Sequence, residues 1–332
     1  MKMSLQIIKS GILDTIQDCG RYGFQHFGIN TGGSMDQFSS QLSNALLGKP
    51  LSDPVIEIHF PSPKILFEKD TIVCICGADL SPFINEQLIP IGQPVFIGKG
   101  CVLEFKKNNY GARVYISILN GLQIEEWLNS FSTNLKAEAG GFYGKALKTG
   151  DRLNYKCEIK FKGLQSGQTF KLLPWSTNKI NHFSNNEIRF LEGAEWNLMT
   201  FDSVEKFKND EFSISKFSDR MGYRLIGGNL KTKKEESMIS SAVSFGTIQL
   251  LPDGQMIILM ADHQTTGGYP RIANVITTDL PKLAQKKPGD VIKFIRTNLK
   301  SAEEKLLMQK KYLIELQHAC KIKIDRLLDV IL

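Results

Sequence analysis

Short runs of alternating apolar and polar residues, separated by Gly, Pro and Asn, dominate this chain. Such alternation is typical of β-strands with one buried face, and the spacing of the runs favours barrels or sandwiches over βαβ units. The predicted strands are Gln6–Ile8, Val55–Ile58, Lys64–Phe67, Thr71–Cys76, Val95–Ile97, Val102–Phe105 and Arg113–Ile118. The pattern therefore predicts a mainly β fold with few helices.

Two segments carry a helical period instead. Ser34-Met-Asp-Gln37 has the form of a capping box, with Ser34 as the N-cap and Asp36 in the first turn. Apolar residues then recur at helical spacing as far as Gly48, which predicts the end of the helix. A second helix is predicted from Ser301 to about Leu328, with buried positions at Leu306, Leu307, Leu313, Leu316 and Leu327.

Three segments place a glycine turn directly before an alternating strand: Lys99–Phe105, Thr149–Tyr155 and Pro288–Phe294. This repeated pattern fits barrel units built to one plan. The polar, Gly- and Pro-containing region from about Lys160 to Glu187 indicates a boundary between them. We therefore predict an N-terminal β domain over residues 1–175, a second β domain over 176–300 and a helical tail over 301–332.

Composition and charge narrow the class of protein. At 332 residues, 42% hydrophobic and 23% charged, the chain has the length and composition of two globular domains. The net charge of +7 is scattered, with its tightest cluster at Lys231, Lys233 and Lys234, so we expect no nucleic-acid partner. The longest apolar runs are too short to span a membrane, and residues 1–9 lack signal-peptide features, which predicts a cytoplasmic protein with no membrane partner.

The six cysteines form no C-x-x-C pair and have no histidine at zinc spacing, so no metal site is expected. Cys74 and Cys76 would share one face of a predicted strand. Buried, reduced thiols are the favoured interpretation.

The densest polar stretch is Met260–Ala273, which follows the apolar run Met256–Met260. The pair Gly267-Gly268 permits positive φ angles and close approach of a ligand to backbone N–H groups. Arg271 offers a fixed fork of donors for a carboxylate or phosphate. The alternative is an ordinary turn in which hydroxyls and glycines serve only the local geometry.

Three other segments carry more polar chemistry than folding requires. Gln17–His26 places Asp18, Arg21 and His26 around two glycines, and Gly28–Asp36 is a glycine-rich loop that opens a helix, where anions bind readily. Ser218–Leu225 brings Arg220 and Arg224 close in sequence, as an anion site would. A surface ion pair, a helix cap and a basic hairpin are the respective structural alternatives.

Known nucleotide-binding signatures are absent from the sequence. It contains no P-loop, kinase signature or dinucleotide fingerprint. Any nucleotide would therefore bind in a non-standard site or on another protein of a complex.

The order of these motifs resembles one family. Gly11–His26, Gly33–Asp36, Ser218–Leu225, Gly254-Gln255 and Gln264–Ala273 resemble the family of 5-oxoprolinase C subunits, also described as the biotin-dependent carboxyltransferase or allophanate hydrolase subunit 2 family, to which KipA belongs. The resemblance runs from about Gln6 to Phe294 and leaves only the terminal helix outside. It implies two cyclophilin-like β-barrels, which is consistent with the strand pattern.

The resemblance implies one component of a complex rather than a self-sufficient enzyme. The C subunit would act with a KipI-like B subunit, together with an A subunit, in the ATP-dependent opening of 5-oxo-L-proline to L-glutamate. ATP would be used by the complex, at a site on or shared with a partner protein. Two alternatives stay open: a KipA-type regulatory protein that antagonises a kinase inhibitor, and the carboxyltransferase component of a biotin-dependent, urea-carboxylase-like system.

The polar segments and the resemblance together give a candidate site. Proton transfer is assigned to Asp262 or His26, and stabilisation of negative charge to Arg271. The predicted substrate-binding residues are Arg21, Ser34, Asp36, Arg220, Gln264, Thr265, Thr266, Gly267, Gly268 and Tyr269.

One departure from the family pattern affects a charged position. Relatives typically carry an aspartate where this chain has Asn134, within Asn129–Leu135. If that aspartate is catalytic, activity would be weakened here. If it is structural, an amide can replace some of its hydrogen bonds.

Overall fold

The computed structural model describes residues 4–161, 169–177, 185–234 and 238–328. These fall into two compact units. Unit 1 takes the described residues within Met1–Gly20, Asp36–Asn181 and Lys310–Leu332, and unit 2 takes those within Arg21–Met35 and His182–Gln309.

This grouping differs from the predicted domains in two segments. Arg21–Met35 belongs to unit 2, where the Gly33 carbonyl accepts from Arg220 and Met35 lies in the core. The chain from Lys310 onward belongs to unit 1. A division by sequence position cannot anticipate such contacts, because their partners lie more than a hundred residues away. Residues 162–168 and 178–184 of the predicted boundary region lie outside the described residues.

Unit 1 contains two six-stranded sheets whose pairs are antiparallel. In chain order its strands are β1 Leu5–Lys9, β2 Thr15–Gln17, β3 Val55–His59, β4 Lys64–Phe67, β5 Thr71–Asp79, β6 Pro82–Ile84, β7 Gln87–Leu88, β8 Val95–Ile97, β9 Val102–Phe105, β10 Tyr110–Ile118, β11 Arg152–Leu153 and β12 Phe170–Leu172. The first sheet has the order β11-β1-β4-β9-β6-β7, and the second β12-β8-β5-β10-β3-β2. Every strand predicted from the sequence is confirmed.

Strand β5 shows how the layers pack. Val73 and Ile75 point into a core shared by both sheets, whereas Ile72, Cys74 and Cys76 belong to a second apolar cluster on the opposite face. The strand is buried on both faces, which explains its continuous apolar run. Cys74 Sγ and Cys76 Sγ lie 4.0 Å apart, so these thiols share one face as predicted.

The six cysteines are free thiols. Four are buried, as expected for small apolar side chains, but Cys19 is half-buried and Cys157 is exposed. Burial raises the pKa of the Cys74 thiol well above its ordinary value, so this thiol is held in its unreactive form.

Helix α1, Gln37–Leu46, covers the outer face of β5 and β10. Its N-cap is Asp36, whose carboxylate accepts from the Ser39 N–H at 2.8 Å. The prediction that Ser34 caps this helix is therefore wrong, because the free N–H of Ser39 is satisfied by Asp36, and the Ser34 hydroxyl has no hydrogen-bond partner among the described residues. Gly48 follows the C-cap with φ +65°, and a Cβ there would lie 2.5 Å from the Lys321 backbone.

Helix α4, Leu299–Asp325, confirms the predicted C-terminal helix. Leu313 is buried as expected, together with Cys320 and Ile324, whereas Leu307 is 66% exposed and was wrongly predicted as buried. In unit 1 the helix packs on the cluster that holds α1, and Gln317 donates to the Lys49 carbonyl at 2.8 Å. Across the described ranges, no helix is long and apolar enough to cross a membrane.

Unit 2 is built on a closed seven-stranded barrel with the order β13-β20-β17-β18-β15-β14-β21. Its strands are β13 Glu187–Glu192, β14 Glu211–Ile214, β15 Gly222–Ile226, β16 Ser241–Ala242, β17 Thr247–Leu250, β18 Met256–Leu259, β19 Thr266–Gly267, β20 Arg271–Val275 and β21 Val291–Arg296; its short helices are α2 Phe201–Asn209 and α3 Leu280–Ala284. Phe207 stacks on Phe294 with ring centroids 4.5 Å apart inside this barrel. The predicted mainly β fold is confirmed.

The three repeated glycine turns precede strands β9, β11 and β21. Gly100, Gly150 and Gly289 have φ angles of +89°, +95° and +89°. A Cβ at each would meet open space, so backbone conformation rather than crowding requires glycine here.

Candidate functional site

The polar stretch after β18 forms a connection on the surface of unit 2. Thr266 and Gly267 form strand β19, which pairs with β16, and the chain enters the barrel again at Arg271 on β20. Gln264 and Thr266 are exposed, as is Tyr269 in part, while Thr265 is half-buried. The stretch is therefore a β-ribbon with one accessible edge.

The Arg271 side chain forms an ion pair with a carboxylate of the same chain. Its Nε and Nη2 donate to the two oxygens of Glu195 at 2.9 and 2.7 Å, and its backbone N–H donates to Glu195 Oε2 at 2.9 Å. The Arg271 guanidinium holds the pKa of the Glu195 carboxyl below its usual range. This bidentate pair fixes the start of β20. It also uses the Nε and Nη2 donors of Arg271 within the protein.

Arg220 and Asp262 form a second bidentate pair. Arg220 Nε and Nη2 lie 2.8 and 3.0 Å from the Asp262 oxygens, and Nη2 also donates to the Gly33 carbonyl at 2.7 Å. The Asp262 carbonyl in turn accepts from Asn30 at 3.0 Å. This pair joins three segments that are distant in sequence, which is a structural role for both predicted site residues.

The glycine pair differs from its predicted conformation. Gly267 and Gly268 are not among the glycines with a positive φ angle. A Cβ on Gly267 would lie 2.5 Å from Gln249 Nε2, so this glycine admits the neighbouring side chain. A Cβ on Gly268 would lie 3.4 Å from the Met238 carbonyl. The pair therefore forms no left-handed turn; Gly267 lies against the movable end of the Gln249 side chain, and the distance at Gly268 is an ordinary van der Waals contact.

The histidines His26 and His263 have different environments. His263 is buried, and its Nδ1 lies 2.5 Å from the Gln264 carbonyl. Burial lowers the pKa of His263, which favours the neutral ring. His26 is exposed to solvent, and its ring lies tilted against that of Phe27 with 3.9 Å between ring centroids. It lines neither of the two cavities described below.

Arg21, Ser34 and Asp36 are each fully buried. The Arg21 N–H donates to the Thr31 carbonyl at 2.7 Å, which closes the loop between these residues. Asp36 caps α1, and its backbone N–H donates to the Tyr115 hydroxyl at 2.8 Å. None of the three lines the two cavities of unit 2 to which the ribbon contributes.

Asp18 organises a separate loop in unit 1. Its carboxylate accepts from the Ser130 hydroxyl at 2.8 Å, the Phe131 N–H at 2.6 Å and the Ser132 hydroxyl. Asn134, four residues beyond Ser130, accepts at 3.1 Å from the Lys136 and Ala137 N–H groups. An amide oxygen can fill this turn-capping role as a carboxylate would, which supports the structural interpretation of the departure at Asn134.

A cavity of about 560 Å³ opens on the outer surface of β15, β17 and β18. We call it the Arg224 cavity. Two predicted residues, Gln264 and Tyr269, line it. The remaining polar lining is Asp219, Arg224, Gln249 and Asp253.

A second cavity of about 800 Å³ adjoins the first, and Tyr269 lines both. Its lining includes Lys231, Lys234 and Gly268. Of the predicted site residues, Gln264, Gly268 and Tyr269 thus line an accessible cavity.

Glu195 and Gln249 were not predicted from the sequence. Gln249 gave one signal, because it is a polar residue inside an apolar strand.

Comparison with known proteins identifies the family. The model of the family described as carboxyltransferase domain, subdomain A and B, matches residues 27–296. The chain belongs to this family. The family model begins at residue 27 and ends before α4, which begins at Leu299, so it covers less of the N-terminal part than the predicted resemblance. The similarity to one relative covers 94% of the chain and therefore extends into α4, contrary to the prediction that this helix lies outside the resemblance.

Two relatives in this family are similar along most of their length. The 5-oxoprolinase C subunit of Haemophilus influenzae is 34% identical over 288 residues, covering 87% of this chain and 89% of the relative. The 5-oxoprolinase C subunit of Escherichia coli is 33% identical over 312 residues, covering 94% and 97%. The family assignment made from the motifs is confirmed.

Solved structures in the same family share the fold. The urea amidolyase and the urea carboxylase of Kluyveromyces lactis each match 95% of this chain with a TM-score of 0.87 and 27% identity. This chain spans only 20% and 29% of those two structures. It corresponds to one region of these larger proteins.

Proposed function

We propose that this chain is the C subunit of a multi-component, ATP-dependent 5-oxoprolinase that converts 5-oxo-L-proline to L-glutamate, and that it is active only with its A and B partners. The observation that carries the proposal is the near full-length similarity, at 33–34% identity, to two relatives named as C subunits of 5-oxoprolinase. Because 89% and 97% of those relatives are covered, the similarity extends over whole proteins rather than one shared domain.

The ribbon Gln264–Arg271 is the proposed substrate-site loop. It presents Gln264 and Tyr269 to a cavity that also contains an arginine, and hydrolysis of a lactam develops negative charge on its carbonyl oxygen. Arg271 contributes by fixing the ribbon through Glu195. For proton transfer, His26 is the more accessible of the two candidates, because the Asp262 oxygens accept from Arg220.

ATP is proposed to bind on a partner protein of the complex, or at a site shared with it. The sequence lacks the glycine-rich phosphate loops of the common nucleotide-binding folds. The Arg224 cavity also contains Asp219 and Asp253, whose charges disfavour a polyphosphate there. Nucleotide chemistry is therefore assigned to the complex.

A carboxyltransferase function is the second candidate. The observation that favours it is the TM-score of 0.87 with the Kluyveromyces lactis urea carboxylase. In that case the chain would act on a carboxylated biotin carried by another protein, and avidin would abolish the activity. The 5-oxoprolinase proposal predicts no effect of avidin.

The test is reconstitution from purified components. Mixing this chain with its A and B partners should give a complex that forms L-glutamate from 5-oxo-L-proline and consumes ATP. A complex that assembles but forms no glutamate, with or without avidin, would contradict the proposal. Avidin-sensitive carboxyl transfer by the same mixture would support the second candidate instead.

A further inference from the structure

Strand register places four side chains in one row across the outside of the unit 2 barrel. Arg224 on β15 pairs with Ile257 on β18, Ile257 pairs with Gln249 on β17, and Gln249 pairs with Arg271 on β20. Their sequence neighbours Tyr223, Leu225, Ile248 and Ile258 lie in the barrel core. Since side chains alternate along a strand, the row faces outward, with adjacent members about 5 Å apart.

The two arginines at the ends of this row differ in their partners. Arg271 is neutralised by Glu195, as described above. The Arg224 side chain is exposed, and within residues 4–161, 169–177, 185–234 and 238–328 no carboxylate lies within ion-pair distance of it. Arg224 therefore has its donor fork available for a ligand anion.

The row lines the Arg224 cavity along one side. Gly222 lies two residues before Arg224 on β15, and a Cβ there would be 2.6 Å from Ile257 Cδ1. The Ile257 side chain thus lies against Gly222, and both residues line the cavity together with Arg224. All residues that line this cavity belong to unit 2.

Two side-chain amides complement the arginine. Gln249 is buried at the base of the cavity, with its Nε2 3.5 Å from the Tyr269 carbonyl, at the limit of a hydrogen bond. Gln264 lines the cavity from the ribbon and is exposed. A primary amide offers both a donor and an acceptor, which match the C=O and N–H of a ring amide.

Two acids restrict the ligand's charge. Asp219 Oδ1 accepts from the Met221 N–H at 2.8 Å, and Asp253 Oδ1 accepts from the Gln255 N–H at 3.0 Å. Both residues line the cavity. Because two carboxylates outnumber the one guanidinium, the lining disfavours a polyanion, and an anionic ligand has to place a single charge directly against Arg224.

We propose that Arg224, Gln249 and Gln264 bind a small ring amide that carries one carboxylate. Arg224 pairs with the carboxylate, the glutamine amides pair with the ring amide, and the Tyr269 ring covers the apolar part of the ligand. This assignment rests on the proposed function for the identity of the ring amide as 5-oxo-L-proline. It makes Arg224, and not Arg271, the residue that recognises the substrate anion.

Calorimetric titration of the full chain tests the site directly. L-5-oxoproline should bind with a saturable isotherm, whereas 2-pyrrolidinone, which lacks the carboxylate, and L-proline, which lacks the ring carbonyl, should each bind at least tenfold more weakly. Arg224→Gln should weaken L-5-oxoproline binding roughly 10- to 100-fold, as expected for loss of a charge-assisted hydrogen-bonded pair. The matched control is Arg296→Gln, on β21 of the same unit, where the arginine pairs with Glu192.

The binding result and the activity of the reconstituted complex separate the two proposals. Equal affinity of Arg224→Gln and the unsubstituted chain, or no saturable binding, would overturn the assignment of the cavity even if the complex forms glutamate. Arg224-dependent binding in a chain whose complex forms no glutamate would uphold the cavity and contradict the proposed function. Circular dichroism checks that both variants fold.

Discussion

Single arginines show most clearly how a side chain's partner decides its role. Arg220, Arg224 and Arg271 are chemically identical, yet two are held in bidentate pairs and one lines a cavity with its fork available. The sequence identifies all three as anion-binding candidates. It cannot give their partners, because Glu195 is 76 residues from Arg271 and Asp262 is 42 residues from Arg220.

The Arg271–Glu195 pair predicts a stability effect. Arg271→Gln should lower the free energy of unfolding by about 1–3 kcal/mol, because it leaves the largely buried Glu195 carboxylate without its charged donor. Chemical denaturation measures the change. In a double-mutant cycle, Glu195→Gln should recover part of the loss, since the amide no longer buries an unpaired charge. Additive effects of the two substitutions would contradict the pairing.

Asp14 predicts a pH dependence of stability. It is fully buried in unit 1, and burial raises the pKa of its carboxyl to about 7 from the ordinary value of 3.8. Between pH 3.8 and about pH 7, the Asp14 carboxyl is therefore protonated in the folded chain and ionised in the unfolded chain. The stability contributed by Asp14 is fully present below about pH 4 and is lost as pH rises through about 7.

The variant Asp14→Asn tests this dependence. An amide oxygen can still accept from the Gly11 N–H, which donates to Asp14 at 2.7 Å, but it never ionises. Denaturation at several pH values from 4 to 8 should show a flatter stability curve for the variant, with a difference on the order of a few kcal/mol. The control is Asp202→Asn at an exposed position. Parallel curves for Asp14→Asn and the unsubstituted chain would contradict the assignment.

At the scale of elements, the sequence predicted strands more accurately than helix ends. The limits of β4, β8 and β9 coincide with the predicted runs, because turn residues on either side mark where each run ends. At α1 the sequence pattern placed the N-cap at Ser34 and Asp36 in the first turn, whereas Asp36 is the cap. Which one reaches the free N–H groups depends on the path of the preceding loop.

The cap of α1 can be tested by comparing two alanine variants. Asp36→Ala should cost about 0.5–2 kcal/mol of stability through loss of the cap alone, while Asp36→Asn should retain most of it. Ser34→Ala should be close to neutral, because the Ser34 hydroxyl has no hydrogen-bond partner among the described residues. Thermal unfolding measures all three. A larger loss for Ser34→Ala than for Asp36→Ala would restore the capping box.

Contacts between residues of different strands also could not be predicted from the sequence. Gly267 lies against the end of the Gln249 side chain on a neighbouring strand, whereas the sequence drew attention to the positive φ angles that a glycine pair permits. By contrast, Gly100, Gly150 and Gly289 were recognised from a repeated local pattern. Glycines that serve local geometry are readable from sequence, and glycines that serve a distant neighbour are not.

At the scale of the whole molecule, the mainly β fold and the family follow from strand pattern and motif order, and both are confirmed. The sequence did not predict which segments make up each unit, because Arg21–Met35 belongs to unit 2 and the chain from Lys310 belongs to unit 1. The substrate and the partner proteins stay proposals, as does the cytoplasmic location predicted from the sequence.

The most direct test of the proposed function is the rate of L-glutamate formation from 5-oxo-L-proline and ATP by the A and B partners, measured with and without this chain. The proposal predicts that glutamate forms only when all three proteins are present. Glutamate formation at the same rate without this chain, or none when all three are assembled, would contradict it.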